Sequence, residues 1–356
     1  MSRYLVGAAV LCGLLLGRLE AAQGAATTTT ATTTRSPTRA APVVIEKAAR
    51  ETLTAVEMNA GDELRFTLSD GTTRSIILKK TWARVTHTTT TQPKTPTRGA
   101  LTNYRFSCVI EVDGHSVQIT REVASQHSFY EPREFMGLRI WFDACDDIFG
   151  FLSEDHGECR PRKQARFAIQ EASRRMAPVL LHPWCPLPEG GLRVEDCYNG
   201  EDVWLGAFNG ADAHGGLDIN HPAGTPIWTP VAIDDHFLFN TLAAGDNNNR
   251  WRGFHRWPDG STWVLQVHHL IRLRAKEHEP VAAGALLADG AGVYIGDHEH
   301  SHFVFKVIEP GAAERDAILL DPWILFWQMY LDREATTAAA KGEIRGTKPE
   351  IRIKSE

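Results

Sequence analysis

Ten of the fifteen histidines in this 356-residue chain lie between His214 and His302, and five of those ten sit in three short signatures. The first signature is His214-Gly215-Gly216-Leu217-Asp218, followed by Pro222-Ala223-Gly224-Thr225-Pro226-Ile227. The second is Val267-His268-His269-Leu270, and the third is His300-Ser301-His302-Phe303-Val304-Phe305. Neutral imidazole and carboxylate are the donors that a borderline-soft divalent ion takes, and a catalytic zinc keeps three protein ligands plus a water. The run Phe303 to Val307 is strand-forming, so period-two alternation predicts His300 and His302 on one face. The spacing of four between His214 and Asp218 would suit a helix, but two adjacent glycines disfavour one. An extended or bent segment is expected there, with Pro222 and Gly224-Thr225-Pro226 forming the next turn.

These signatures, in this order, resemble the lysostaphin-type zinc endopeptidases that cut peptidoglycan cross-bridges and stems. The family's His-x-(Gly)-x-Asp and Pro-x-Gly-Thr-Pro-Val motifs correspond to His214, Asp218 and Pro222 to Ile227. Its His-Leu strand corresponds to His269-Leu270, its His-x-His-Phe strand to His300 to Phe303, and its Asp-Pro to Asp321-Pro322. Val281 to Ala288 is similar to the family's stretch before a glycine-rich turn, and the likeness spans roughly residues 201 to 331. It implies His214, Asp218 and His302 as ligands of one zinc ion per chain, with His269 and His300 as catalytic residues beside the bound water. One of those two histidines would take the water's proton and the other hold a developing oxyanion, and the sequence leaves their assignment open. His268 adjoins His269 and, on a regular strand, would point to the opposite face.

His221, His236, His255, His278 and His298 are read as surface or satisfied-core residues. The chain departs from the family where Glu299-His300-Ser301-His302 stands for the usual Pro-His-Leu-His. It departs again in the long segment Asp234 to Gln266, with Asn247-Asn248-Asn249 and four aromatics from Trp251 to Trp263.

A net charge of −6 argues against a nucleic-acid partner, because backbone phosphates demand a basic face. Residues 1–24 read as a signal peptide: Arg3 is the positive start, Leu5 to Leu16 the apolar core, and Ala22-Gln23-Gly24 the cleavage site. That core is too short for the ~20 residues a membrane span needs, and the apolar run Ile318 to Leu331 is broken by Asp321, Pro322 and Gln328. The mature chain is therefore expected to be secreted or periplasmic. Residues 25–47 are rich in Thr, Ala and Pro and read as a disordered linker. Thr86 to Thr97 is a second polar stretch, read as a mobile loop.

Residues 48–135 are expected to form a small antiparallel β domain. Leu64 to Leu68 and Thr73 to Leu78 flank a turn, and Tyr104 to Val112 and His115 to Val123 flank Asp113-Gly114. Residues 136–200 read as a connector, with a strand at Gly137 to Phe142 and a helix over Arg162 to Met176 whose apolar members are Phe167, Ile169 and Ala172. The acidic run Asp143, Asp146, Asp147, Glu154 and Asp155 lacks calcium-loop spacing and reads as solvated surface. Of the five cysteines left after signal removal, Cys145–Cys159 and Cys185–Cys197 are the local disulfide pairs expected in an oxidising compartment, with Cys108 the odd thiol buried in its strand. Asp321-Pro322 reads as an N-cap before a helix from Trp323 to Asp332. Residues 336–356 read as a polar tail.

The expectation is thus a mainly β protein, with a metallopeptidase domain at residues 201–335 acting on peptidoglycan or a related peptide. The alternatives are a catalytically silent metal- or wall-binding module and a zinc peptidase of some other protein substrate.

Overall fold

The computed structural model describes residues 41–88, 102–123, 129–150, 157–198, 213–240, 248–295 and 298–340. The signal segment and most of the linker lie outside them, as do residues 89–97 of the Thr-rich stretch, Glu154 and Asp155. The chain from Pro42 onward clusters as one unit. Among the described residues no helix is long and apolar enough to cross a membrane.

The first half contains β1 (Val44–Ala48), β2 (Thr54–Met58), β3 (Glu63–Thr67), β4 (Thr73–Thr88), β5 (Thr102–Val112), β6 (His115–Val123), β7 (Arg133–Phe135), β8 (Leu138–Cys145) and β9 (Ala165–Glu171). These make a five-stranded sheet in the order β1-β3-β4-β5-β6 and a four-stranded sheet β2-β9-β8-β7, antiparallel except for the β1–β3 pair. Turn chemistry closes the hairpins. Asp113 (φ 47°) and Gly114 (φ 82°) form the two-residue β5–β6 turn, where both central residues must be left-handed. Strand β1 starts within the span read as linker, and Thr86 to Thr88 continue β4.

The second half contains β10 (Leu217–Asn220), β11 (Pro226–Trp228), β12 (Asp235–Asn240), β13 (Asn249–Arg256), β14 (Thr262–Leu270), β15 (Arg272–Leu273), β16 (Leu286–Asp289), β17 (Val293–Ile295), β18 (His298–Ile308), β19 (Ile318–Leu320) and helix α1 (Trp323–Ala340). The main sheet runs β10-β18-β14-β13-β12, with β17 and β19 also paired to β18, and β11-β16-β15 form a small separate sheet. The architecture is mainly β, built of antiparallel sheets, as the pattern predicts.

The four-stranded sheet is buried on both faces. Phe142 and Phe167 face a core shared with the five-stranded sheet, where Phe106 and Phe142 stack edge-on at 5.2 Å. Trp141 and Ala168, on the opposite face, join the core of the second half, where Trp141 meets Trp327 at 5.4 Å. This double burial corrects the helix expected over Arg162 to Met176. Its middle, Ala165–Glu171, is strand β9, and the polar residues Arg166 and Gln170 are buried within the sheet. Helix α1 is capped as predicted, with the Trp323 amide donating to Asp321 Oδ1 at 2.9 Å. It runs to Ala340 rather than ending at Asp332, because Thr336 to Ala340 are mostly good helix formers. Every residue from Trp323 to Tyr330 is buried, so the first two turns are core all round.

Asp143 corrects the reading of a solvated acidic run. Its side chain is fully buried and pairs with Arg166. Arg166 Nε donates to its Oδ2 at 2.7 Å, and Arg121 Nη1 donates to its main-chain oxygen at 3.0 Å. Asp143 Oδ1 accepts the Asp321 amide at 2.8 Å, while Arg121 also pairs with the Asp321 carboxylate. Two guanidinium groups thus balance two carboxylates in the interior, the condition under which buried charges are tolerated. Asp146 does behave as expected, pairing with Arg160 at the surface.

The five described cysteines are free and buried, so neither expected bridge is formed. Cys145 packs with Cys108 in the core between the first two sheets, whereas Cys159 packs against Val304 and Leu319. Nearness in sequence therefore does not bring that pair into one cluster. Cys185 and Cys197 share the larger core as thiols, and burial pushes the Cys185 thiol pKa up. Cys108 is buried in β5, as expected.

Removing one member of the interior charge network leaves its partners buried and uncompensated. Asp143→Ala is expected to cost about 3–5 kcal/mol in urea unfolding, against less than about 0.5 kcal/mol for the surface change Asp146→Ala.

Candidate metal centre

Strand β18 organises the site. Phe303 and Phe305, on its apolar face, pack on Trp184 (5.0 Å), Phe326 (5.3 Å) and Trp263 (5.3 Å), which turns His300 and His302 to the other face. In the ladder Asp218 of β10 stands opposite His302, and His268 of β14 stands opposite it on the other side. His214 reaches the same place because Gly215 (φ 85°) bends the chain before β10 starts. The structure brings His214, Asp218 and His302 together, with one donor atom from each inside a 4.8 Å cluster.

The distances test whether the three could hold an ion. His302 Nδ1 lies 3.1 Å from His214 Nε2 and 2.8 Å from Asp218 Oδ1, and His214 Nε2 lies 3.3 Å from Asp218 Oδ2. Ligands about 2.0–2.1 Å from a tetrahedral zinc stand roughly 3.3 Å apart, and the three pairs, which use both oxygens of Asp218, lie at or somewhat inside that separation. Two ring nitrogens at 3.1 Å gain little without an ion or proton between them. The residues present fit a divalent metal.

The protonation states suit it as well. Burial opposes ionisation of Asp218, but the imidazoles of His214 and His302 outweigh it and hold the carboxyl well below its ordinary range. Burial disfavours the imidazolium of His302, His268 and His269, the last brought down to about 3. Neutral imidazole is the form whose lone pair binds metal or accepts a proton.

His300 and His269 complete the group. His300 Nε2 lies 3.2 Å from Asp218 Oδ2, and the Tyr198 ring stacks on the His300 ring at 4.8 Å. His269 sits 4.8 Å from His300 and 6.2 Å from His302, ring to ring.

The placement of His268 differs from the expectation. Its ring does not turn away but stacks on His302 at 4.5 Å. The cause is a bulge. Asn249 pairs with Leu270 and Trp251 with Val267, so His268 and His269 together oppose Arg250 alone. His269 takes a left-handed φ of 65°, which breaks the alternation and brings both imidazoles to the same side. Such a conformation costs a non-glycine residue on the order of 1 kcal/mol or more.

Two further contributors escaped the sequence. Asn248 Oδ1 lies 2.7 Å from His269 Nδ1, across a sequence gap that no motif marks. Gly216 is the other: a Cβ there would meet His302 Cε1, His302 Nε2 and the Phe303 carbonyl oxygen, each at 2.5 Å. Its place in a Gly-Gly pair was the available signal. Of the remaining histidines, His221 bonds Ser301 Oγ at 2.8 Å and His236 accepts from Trp251 Nε1 in the core at 3.0 Å. His255 and His278 lie beside Asp234 and Asp235. The His298 side chain lies outside the described residues.

The fold and site together describe an antiparallel β protein with a His-Asp-His metal cradle on its main sheet. No family model matches the chain, and no curated protein does. Among solved structures, it is similar to lysostaphin-type, or M23, peptidases. The catalytic domain of the antimicrobial peptidase lysostaphin from Staphylococcus simulans is 18% identical over 41% of this chain and 89% of that one, with a TM-score of 0.25. A putative peptidase M23 from Pseudomonas aeruginosa is 16% identical over 78% and 93%, with a TM-score of 0.26. A zinc containing peptidase from Vibrio cholerae is 11% identical over 76% and 84%, with a TM-score of 0.28. The chain spans 44% of the lysostaphin solution structure.

Gly216→Ala is expected to push the His302 ring aside and weaken zinc affinity by at least about 10–100-fold, read by competition against a chromogenic chelator.

Proposed function

We propose that the protein is a zinc-dependent endopeptidase that hydrolyses peptide bonds in peptidoglycan cross-links or stems. The observation that carries the proposal is the convergence of donor atoms from His214, Asp218 and His302, with the imidazoles of His269 and His300 beside them. Zinc, when bound, supplies Lewis acidity toward the scissile carbonyl and lowers the pKa of its water toward ~7. His214, Asp218 and His302 would hold the ion. Of His269 and His300, one accepts the proton of the attacking water and passes it to the leaving amine, and the other donates a hydrogen bond to the developing oxyanion. Asp218 serves twice, since its second oxygen lies within reach of His300 Nε2 and orients that ring.

The wall substrate follows from the ordered motifs, which resemble a family that acts on wall peptides, and from residues 1–24, which carry the pattern of an export signal. In this reading residues 201–335 are the catalytic domain, and residues 48–135 and 136–200 are the module and connector that precede it. Cys185 and Cys197 act as core thiols in this assignment, and no bridge is invoked.

Wild-type protein is expected to carry about one zinc per chain by elemental analysis, and to release peptides from purified sacculi but not from a denatured protein. His302→Ala should lose both metal and activity. His269→Ala should keep the zinc and lose roughly 10²–10⁴ in turnover. A wild-type chain that stays empty in added zinc would sink the hydrolase reading and leave a binding module. Full turnover in His269→Ala would remove that residue from the chemistry.

A further inference from the structure

His269 is held more firmly than any packing need explains. Its main-chain oxygen accepts from the Gly292 amide at 2.6 Å, its backbone is fixed in the left-handed region, and its Nδ1 meets Asn248 Oδ1 at 2.7 Å. Asn248 is itself anchored, because Asn249 next to it pairs with Leu270 in the ladder and donates from Nδ2 to the Leu270 carbonyl at 3.0 Å. The neighbouring His268, by contrast, reaches only Gln266 Oε1, at 3.4 Å. An amide oxygen accepts and cannot donate, so the ring nitrogen facing it must carry the proton.

We propose that Asn248 is a positioning residue that fixes His269 as the Nδ1–H tautomer and so keeps Nε2 free to accept a proton. Resting on the peptidase reading above, this splits the roles of the two free histidines. His269 takes the proton of the attacking water, and His300, whose Nε2 faces the Asp218 carboxylate and so carries hydrogen, is the donor. Neither residue forms a bond to substrate. The proton taken from water by His269 leaves on the departing amine, which restores the starting tautomer.

The test compares Asn248→Asp, which keeps an acceptor oxygen, with Asn248→Leu, which removes it at similar size. Ring-nitrogen NMR of histidine-labelled full-length protein, with the His269 signals assigned by their loss in His269→Gln, reads the tautomer without any turnover. Wild type and Asn248→Asp should show Nδ1 protonated and Nε2 bare, whereas Asn248→Leu should show a mixture. With zinc bound at wild-type stoichiometry, kcat for Asn248→Leu should fall about 10–100-fold at constant KM, and Asn248→Asp should stay within a few-fold of wild type. An unchanged tautomer in Asn248→Leu, or equal losses in the two variants, would overturn the proposal. Should the leucine variant not fold, an Nε2–H tautomer in wild type or in Asn248→Asp would do the same. If the wild type proves to bind no zinc and cut no peptide, the peptidase reading fails alone, because the ring-nitrogen signals of the metal-free chain still decide what Asn248 does.

Discussion

The site depends on the register of one strand. β18 carries two of the five converging histidines, and the ladder on either side of it decides what stands next to them. On one side Asp218 is placed opposite His302, and on the other His268 is. A slip of one residue would turn every side chain of the strand to the other face, with Phe303 and Phe305 pointing into the polar site and the imidazoles into the core. The cost of exposing two aromatics and burying two imidazoles among Trp184, Trp263 and Phe326 is what fixes that register. The convergence of the three donor side chains is therefore a by-product of hydrophobic packing on the opposite face.

Asp218 is the electrostatic centre of the same arrangement. Its carboxylate touches three imidazoles, His214, His300 and His302, in surroundings that exclude water. An isolated buried carboxylate would be neutralised, and this one is held in the ionised form against burial by His214 and His302. The fold thus gathers the donors before any ion arrives, and binding need not order the loops that carry them. The glycines that precede Asp218 are part of this preparation: one bends the chain and the other clears room for a ring.

What could be read in advance was local. The hairpin at Asp113-Gly114 and the cap at Asp321 are short-range chemistry, and the His300–His302 pair obeys the simple alternation of a strand. The errors came from long-range contacts. The spacing of Phe167, Ile169 and Ala172 suggests a helix and Asp143 reads as solvated, because nothing nearby in sequence announces Arg166 and Asp143 as partners. His268 was misplaced because alternation assumes a regular strand, and the bulge arises from how β14 pairs with β13, which a single strand's sequence does not display. Asn248 lies twenty-one residues from the ring it meets, in the long segment where the chain departs from the family's motifs.

The interior charge network has a consequence for how such a chain could be recombined. Asp321 caps the helix that backs the metal strand, and its guanidinium partner comes from β6, two hundred residues earlier. A second half transplanted alone would carry the Asp321 carboxylate into its own core without Arg121, and a first half fused to a foreign partner would carry Arg121 without Asp321. The two halves therefore have to be inherited together, and exchange of either one requires a matching change at a residue far from the junction.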